Sequence, residues 1–174
     1  MRRARVDDSG MTEAPPKTKI VLAQVAVALM IAFVVLGFAW YGFSAEVRGR
    51  MWRNLLDRPA GPMTFRFILQ PVMATIAAFS DGLKDARIGR SPYLLAILAD
   101  GNERVARLRE GVIATSRVLI LGLVMDVIYQ FVAFDTFHPG EAVVVALLLA
   151  FVPYLLLRGP IQRLARMWVG DALR

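Results

Sequence analysis

Apolar residues run long enough in three places to cross a bilayer, and the polar residues around them fall into helical stripes. Residues 20–43 hold 24 positions with Gln24 as the strongly polar member. At about 1.5 Å per helical residue, such a run spans a hydrocarbon layer of about 30 Å with some tilt. Residues 112–134, VIATSRVLILGLVMDVIYQFVAF, form a second run with Asp126 near its middle. Residues 142–157 form a third, 16 residues long. It is extendable through Gly140 and Glu141 at one end and, at the other, through Arg158, whose stem can lie in lipid while its head reaches water. Pro153 is expected to kink it.

A fourth stretch, residues 63–80, is marginal in length and carries Arg66, Gln70 and Pro71. At 100° per residue, Arg66, Gln70, Ala77, Asp81 and Lys84 share one stripe, and Phe65, Ile68, Val72, Phe79 and Leu83 share the opposite one. The segregation continues beyond the apolar run, which favours a kinked helix lying in the membrane plane. The alternative is a fourth spanning helix whose polar stripe faces the bundle.

The fold class expected is therefore all-α and integral to a membrane, with three spanning helices, or four, plus amphipathic interfacial helices. Residues 1–19, charged and containing Pro15-Pro16, read as a mobile tail. Residues 44–111 read as interfacial helices on the cytoplasmic face. Within them Ser91-Pro92 starts a helix over 93–99, Asp100-Gly101 marks a turn, and Asn102 caps a helix leading into the second run. Residues 135–141 make a short exterior loop, so 112–157 form a hairpin. Residues 158–174 restart after Gly159-Pro160 as a basic amphipathic helix.

Composition narrows the class. At 57% hydrophobic with a mean hydropathy of +0.53, the 174-residue chain is more apolar than a soluble domain. A net charge of +7 would point to nucleic acid in a soluble protein. Here the bases flank apolar runs and suit anionic headgroups, and no aromatic-studded basic groove is visible, so nucleic acid is not an expected partner. The absence of cysteine removes disulfides, thiol nucleophiles and Cys-based metal sites, and a single histidine, His138, removes His-rich ones. The first apolar run is longer than a signal peptide's core, so it reads as an uncleaved anchor. Basic residues place 81–111 and the C-terminus in the cytoplasm. Three-span and four-span topologies put 15 Lys and Arg inside alike, so the side of the N-terminus stays open.

Asp126 is the sharpest candidate for chemistry. An acid at mid-depth costs about 2.5–3.5 kcal/mol to insert and should face protein or water. Tyr129 and Gln130 lie on its side of the helix, whereas Arg117, nine residues away, points the opposite way. Its partner must come from elsewhere, with Gln24, Gln70 and Tyr154 available. Arg48, Arg50, Arg53, Arg163 and Arg166 are candidates for headgroup contact. No metal site or cofactor is expected: His138 with Glu141 supplies too few ligands. Asp81-Gly82-Leu83-Lys84-Asp85-Ala86-Arg87 departs from the DGxxAR opening of CDP-alcohol phosphatidyltransferases by one extra residue. The downstream aspartates of that family are also missing. The stretch reads as a solvated face with helical charge pairs.

FRFILQPVMA, DGLKDARIGRSPY, REGVIAT, LGLVMDVIYQ, PGEA and PYLLLRGP together resemble a group of small bacterial inner-membrane proteins of unknown function, over residues 65–166. That resemblance implies a multi-pass inner-membrane location and transfers no catalytic residue. The function expected is a structural or accessory membrane component, not an enzyme. Its partners are lipids, further copies of itself or another membrane subunit. The alternative is a small oligomeric ion or proton pathway using Asp126.

Overall fold

The computed structural model describes residues 16–42, 44–99, 101–134 and 136–171. The tail at 1–15, Asp100 of the expected turn, the capping side chain of Asn102 and the C-terminal residues 172–174 lie outside what is described. Among the described residues every regular element is helical.

Helix α1, Lys17–Tyr41, takes up the first apolar run and ends at Gly42, whose φ of 65° lets its N–H reach the Phe38 carbonyl. Helix α2, Ala45–Asp57, starts on Ser44, which accepts from the Val47 N–H at 3.2 Å, and Glu46 meets the dipole in the first turn. A 3-10 turn, Arg58–Ala60, and Met63 in a left-handed conformation (φ 64°) redirect the chain into α3, Arg66–Arg87. Helix α4, Tyr93–Ala99, follows Ser91-Pro92 as the sequence predicts. Helix α5, Gly101–Ala133, fuses the expected surface helix and the second apolar run. Three helical stretches, Lys17–Tyr41, Glu103–Ala133 and Pro139–Trp168, are long and apolar enough to cross a membrane.

The last of these differs from the sequence reading. Helix α6, Pro139–Ala146, a π turn, Leu147–Phe151, and α7, Val152–Asp171, form one continuous column. The expected break at Gly159-Pro160 is absent, and Pro160 lies inside α7. The irregularity falls before Pro153, which has no N–H to give the Leu149 carbonyl and whose ring crowds it; the wider turn accommodates both effects.

Helix α3 is placed in the bundle by its ion pairs. Its first residue, Arg66, meets Asp126 near the end of α5, and Asp85 meets Arg158 and Arg107 towards the start of α5. It therefore runs antiparallel beside α5 and packs most extensively along α7. Its buried residues are Arg66, Gln70, Ala74, Ala78, Gly82, Asp85 and Ala86, whereas Phe65, Ile68, Val72 and Phe79 face outward. The polar stripe is thus the inner one. Helix α1 joins from the other side, with Tyr41 Oη donating to the Phe137 carbonyl at 2.8 Å, so its C-terminal end lies beside the α5–α6 connection.

Small residues let these helices approach. One core gathers Ala26, Val118, Leu119, Leu123, Ala142 and Ala146 from α1, α5 and α6, and another gathers Ala74, Ala78, Tyr93, Ile97 and Tyr154. At Gly82 an added Cβ would lie 2.9 Å from Ile161 Cγ2 and 3.1 Å from the Arg158 carbonyl oxygen. Gly82→Val is expected to cost about 1–3 kcal/mol by forcing α3 off α7. Its thermal midpoint in detergent should fall, while Gly49→Ala, in open space on α2, leaves the midpoint unchanged or slightly raised. Equal midpoints for Gly82→Val and wild type would contradict this packing.

Candidate functional site

Buried charges fall into two layers, one at each end of the bundle. In the upper layer, Asp126 on α5 is fully buried and receives two guanidinium groups on the same oxygen. Arg58 Nη1 and Arg66 Nη1 each lie 2.8 Å from its Oδ1. Gln130, one turn further along α5, donates to Asp126 Oδ2 at 2.6 Å. The same side chain fixes the entry to α6, accepting from the His138 N–H at 2.5 Å and donating to the His138 carbonyl at 3.2 Å. The Tyr129 ring faces both bases, with the Arg66 guanidinium 4.3 Å and the Arg58 guanidinium 5.4 Å from its centroid.

Arg58 continues the network to a second acid. Its Nη2 donates to Glu141 Oε2 at 3.0 Å, and Asn54 Nδ2 lies 3.1 and 3.2 Å from the two Glu141 oxygens. Asp126, Tyr129 and Gln130 are thus brought together, but the partners of Asp126 are not those proposed from sequence. Gln24 is exposed on α1, and Gln70 is buried a turn below Arg66 with no hydrogen-bond partner for its amide. Tyr154 belongs to the other end. Glu141, expected on an exterior loop, is buried in the first turn of α6. His138 stacks on Tyr41, and burial with Arg50 and Arg58 nearby keeps its imidazole below the ordinary pKa.

The lower layer joins α3, α5 and α7. Asp85 Oδ2 accepts from Arg158 Nε at 2.7 Å, and Glu110 accepts from Arg90 Nη2 at 3.0 Å and Arg158 Nη2 at 3.3 Å. Tyr154 donates to Asp81 at 2.8 Å while accepting from Arg158 Nη1 at 2.7 Å. Tyr93 donates to the Arg107 carbonyl at 2.6 Å, and burial pushes its phenol up to about 12. Two expectations change here. Asp85 is a buried ion-pair partner instead of part of a solvated face, and Arg158 is buried against it instead of reaching outward.

Glu110 and Asp126 are 16 residues apart on one helix, which sets the layers about 24 Å apart. In the upper layer Arg58 and Arg66 face Asp126 and Glu141, with Arg50 3.9 Å from Glu141; in the lower layer Arg90, Arg107 and Arg158 face Asp85 and Glu110, and Tyr154 links Arg158 to Asp81.

The headgroup candidates divide. Arg48, Arg53 and Arg163 are exposed, and Arg50 is half-buried over the Tyr41 ring. Arg166 donates to the Arg90 carbonyl, which also accepts from Gln162. Sequence reasoning missed Arg58, Arg66 and Glu141 as partners of the Asp126 network. The available signal was complementary: a lone Arg in one apolar run and a lone Asp in another. Among the described residues no group of three or more His, Asp or Glu is placed to hold a metal.

Removing Asp126 strands the buried Arg66 guanidinium and leaves Arg58 with Glu141 alone. Asp126→Ala is expected to cost about 3–5 kcal/mol. Replacing Arg66 by Met in that background should restore part of the lost thermal midpoint in detergent, and strictly additive losses would show that the two side chains do not interact. No protein-family profile, curated protein or solved structure matches the chain.

Proposed function

We propose that the chain is a multi-pass protein of a bacterial inner membrane and serves there as a structural or accessory component. The observation that carries this reading is the pair of buried ion-pair layers. Their separation of about 24 Å approaches the thickness of a hydrocarbon core, and mainly apolar packing lies between them. Each buried acid is met by bases from other helices, so the charges fasten the bundle instead of standing ready for a substrate. Arg117, exposed on α5 seven residues beyond Glu110, can snorkel to the nearer headgroups.

The same geometry favours four crossings over three. With α5 crossing, α3 runs beside it over nearly the same depth. Three crossings put Tyr41 and Phe137 on opposite faces, whereas four put them on one face, in keeping with their hydrogen bond. The basic segments 81–111 and 158–174, together with 1–19, then lie in the cytoplasm, and the connections around Ser44 and Thr136 lie outside. Lipids and a further membrane subunit, or a second copy, are the partners in this reading; nucleic acid is not.

Single cysteines introduced at Ser44, Ser91 and Thr136 test the topology, since the natural chain has none. An impermeant thiol reagent applied to intact cells should label Ser44→Cys and Thr136→Cys alike and leave Ser91→Cys unlabelled. Opposite labelling at Ser44 and Thr136 would sink the four-helix arrangement.

The competing reading, an ion or proton pathway through Asp126, is favoured by Gln70, whose unpartnered amide extends the polar stripe from Arg66 into the apolar layer. Proteoliposome flux separates the two. A structural role predicts background flux for wild type and Asp126→Asn alike, and wild-type flux that disappears in Asp126→Asn would overturn it.

A further inference from the structure

Along the outer side of the α1–α6 contact runs a groove in two parts. The upper part, of about 230 Å³, lies under α2, with Val34, Phe38, Met51 and Val144 among its walls and Arg48 and Arg50 on its rim. The lower part, of about 310 Å³, is lined by apolar side chains alone, from Met30 and Ile31 on α1 to Val143 and Leu147 on the column. Val34 borders both parts, so the groove passes from a basic mouth into a purely apolar trough. Its backbone origin is the close approach at Gly37, where an added Cβ would lie 3.0 Å from the Gly140 nitrogen. Gly37 lets α1 approach the first turn of α6 there, and the bulkier side chains on either side of the contact form the walls.

The two parts ask for different chemistry in one ligand. The trough offers no hydrogen bonds, so it suits a hydrocarbon chain and not a peptide, whose backbone polar groups would go unpaired there. The mouth offers guanidinium groups, which match the oxygens of a phosphodiester. Glu141 also borders the mouth, but its carboxylate is already held by Asn54 and Arg58. Arg50, which lines the mouth, stands 3.9 Å from Glu141, a loose contact, with its guanidinium over the Tyr41 ring.

We propose that this groove holds one anionic phospholipid of the surrounding bilayer. Its phosphate sits between Arg48 and Arg50, and one acyl chain descends past Val34 towards Leu147. The site lies at the end of the bundle marked by Ser44 and Thr136 and rests on the membrane reading above. The two arginines set the headgroup preference, and the trough sets the need for a chain.

The test uses the full chain purified from membranes in mild detergent, with native mass spectrometry against added phosphatidylglycerol and phosphatidylethanolamine. Wild type should retain phosphatidylglycerol several-fold over phosphatidylethanolamine. Arg48→Ala combined with Arg50→Ala should bring the ratio close to unity, and Val34→Trp, which fills the junction of the two parts, should lose both adducts while keeping its thermal midpoint. Equal retention of the two lipids by wild type, or an unchanged ratio in the arginine variant, overturns the site. Carbonate washing of the source membranes separates this failure from that of the membrane reading. A chain that stays in the pellet yet shows no lipid preference refutes the groove alone, and a chain released to the supernatant refutes the membrane reading.

Discussion

A carboxylate withdrawn from water has to be met by positive charge, and in this chain a single oxygen of Asp126 is met by two guanidinium groups. Much of the architecture at that end follows from this requirement. Arg66 approaches Asp126 from α3, which fixes the level at which α3 starts and the face it turns inward. Arg58 approaches from the 3-10 turn, which brings α2 down over the bundle end and within reach of Glu141. Tyr129 supplies an aromatic face to both bases, and Gln130 ties the acid to the entry of α6. Pairing of this quality is what makes buried charge tolerable, since each ion gives up several kcal/mol of hydration.

The second layer repeats the solution with other residues, and the space between is filled mainly by alanine, glycine and larger apolar side chains, with the Gln70 amide and the Thr115 and Ser116 hydroxyls among them. Helix α3 shows the consequence most plainly. In a soluble helix its apolar stripe would face the core and its polar stripe the solvent; here Ile68, Val72, Ile76 and Phe79 are exposed and Arg66, Gln70 and Asp85 are buried. Such an inverted pattern supports the proposed membrane reading, in which the surroundings are themselves apolar.

The first apolar run, the start of α4 after Ser91-Pro92 and the shared face of Asp126, Tyr129 and Gln130 were legible because they depend on neighbours within a few residues. Periodicity also put Arg66 and Gln70 on the side of α3 opposite Phe65, Ile68, Val72 and Phe79, as found, although Lys84 of the first stripe is exposed. It did not reveal which stripe faced inward, because that depends on what lies beyond both faces. Arg58, Arg66 and Glu141 were opaque for a related reason: their ion pairs join residues 60 to 83 positions apart. The division at Gly159-Pro160 failed because packing of α3 along α7, with Gly82 set against Arg158 and Ile161, holds the helix through a sequence that ordinarily ends one.

Those long separations also order events during synthesis. Helix α3 leaves the ribosome carrying Arg66 and Asp85, and their counter-charges arrive later, on Asp126 after 60 residues and Arg158 after 73. In the proposed membrane setting, one such ion alone costs about 2.5–3.5 kcal/mol, so α3 would have no stable resting place until α5 is beside it. Arg58 waits longest, because its second acid, Glu141, lies 83 residues downstream. Bases precede their acids in the upper layer, and the last helical column supplies the closing partner at both ends. The bundle is therefore completed as a unit, from its C-terminal part backwards.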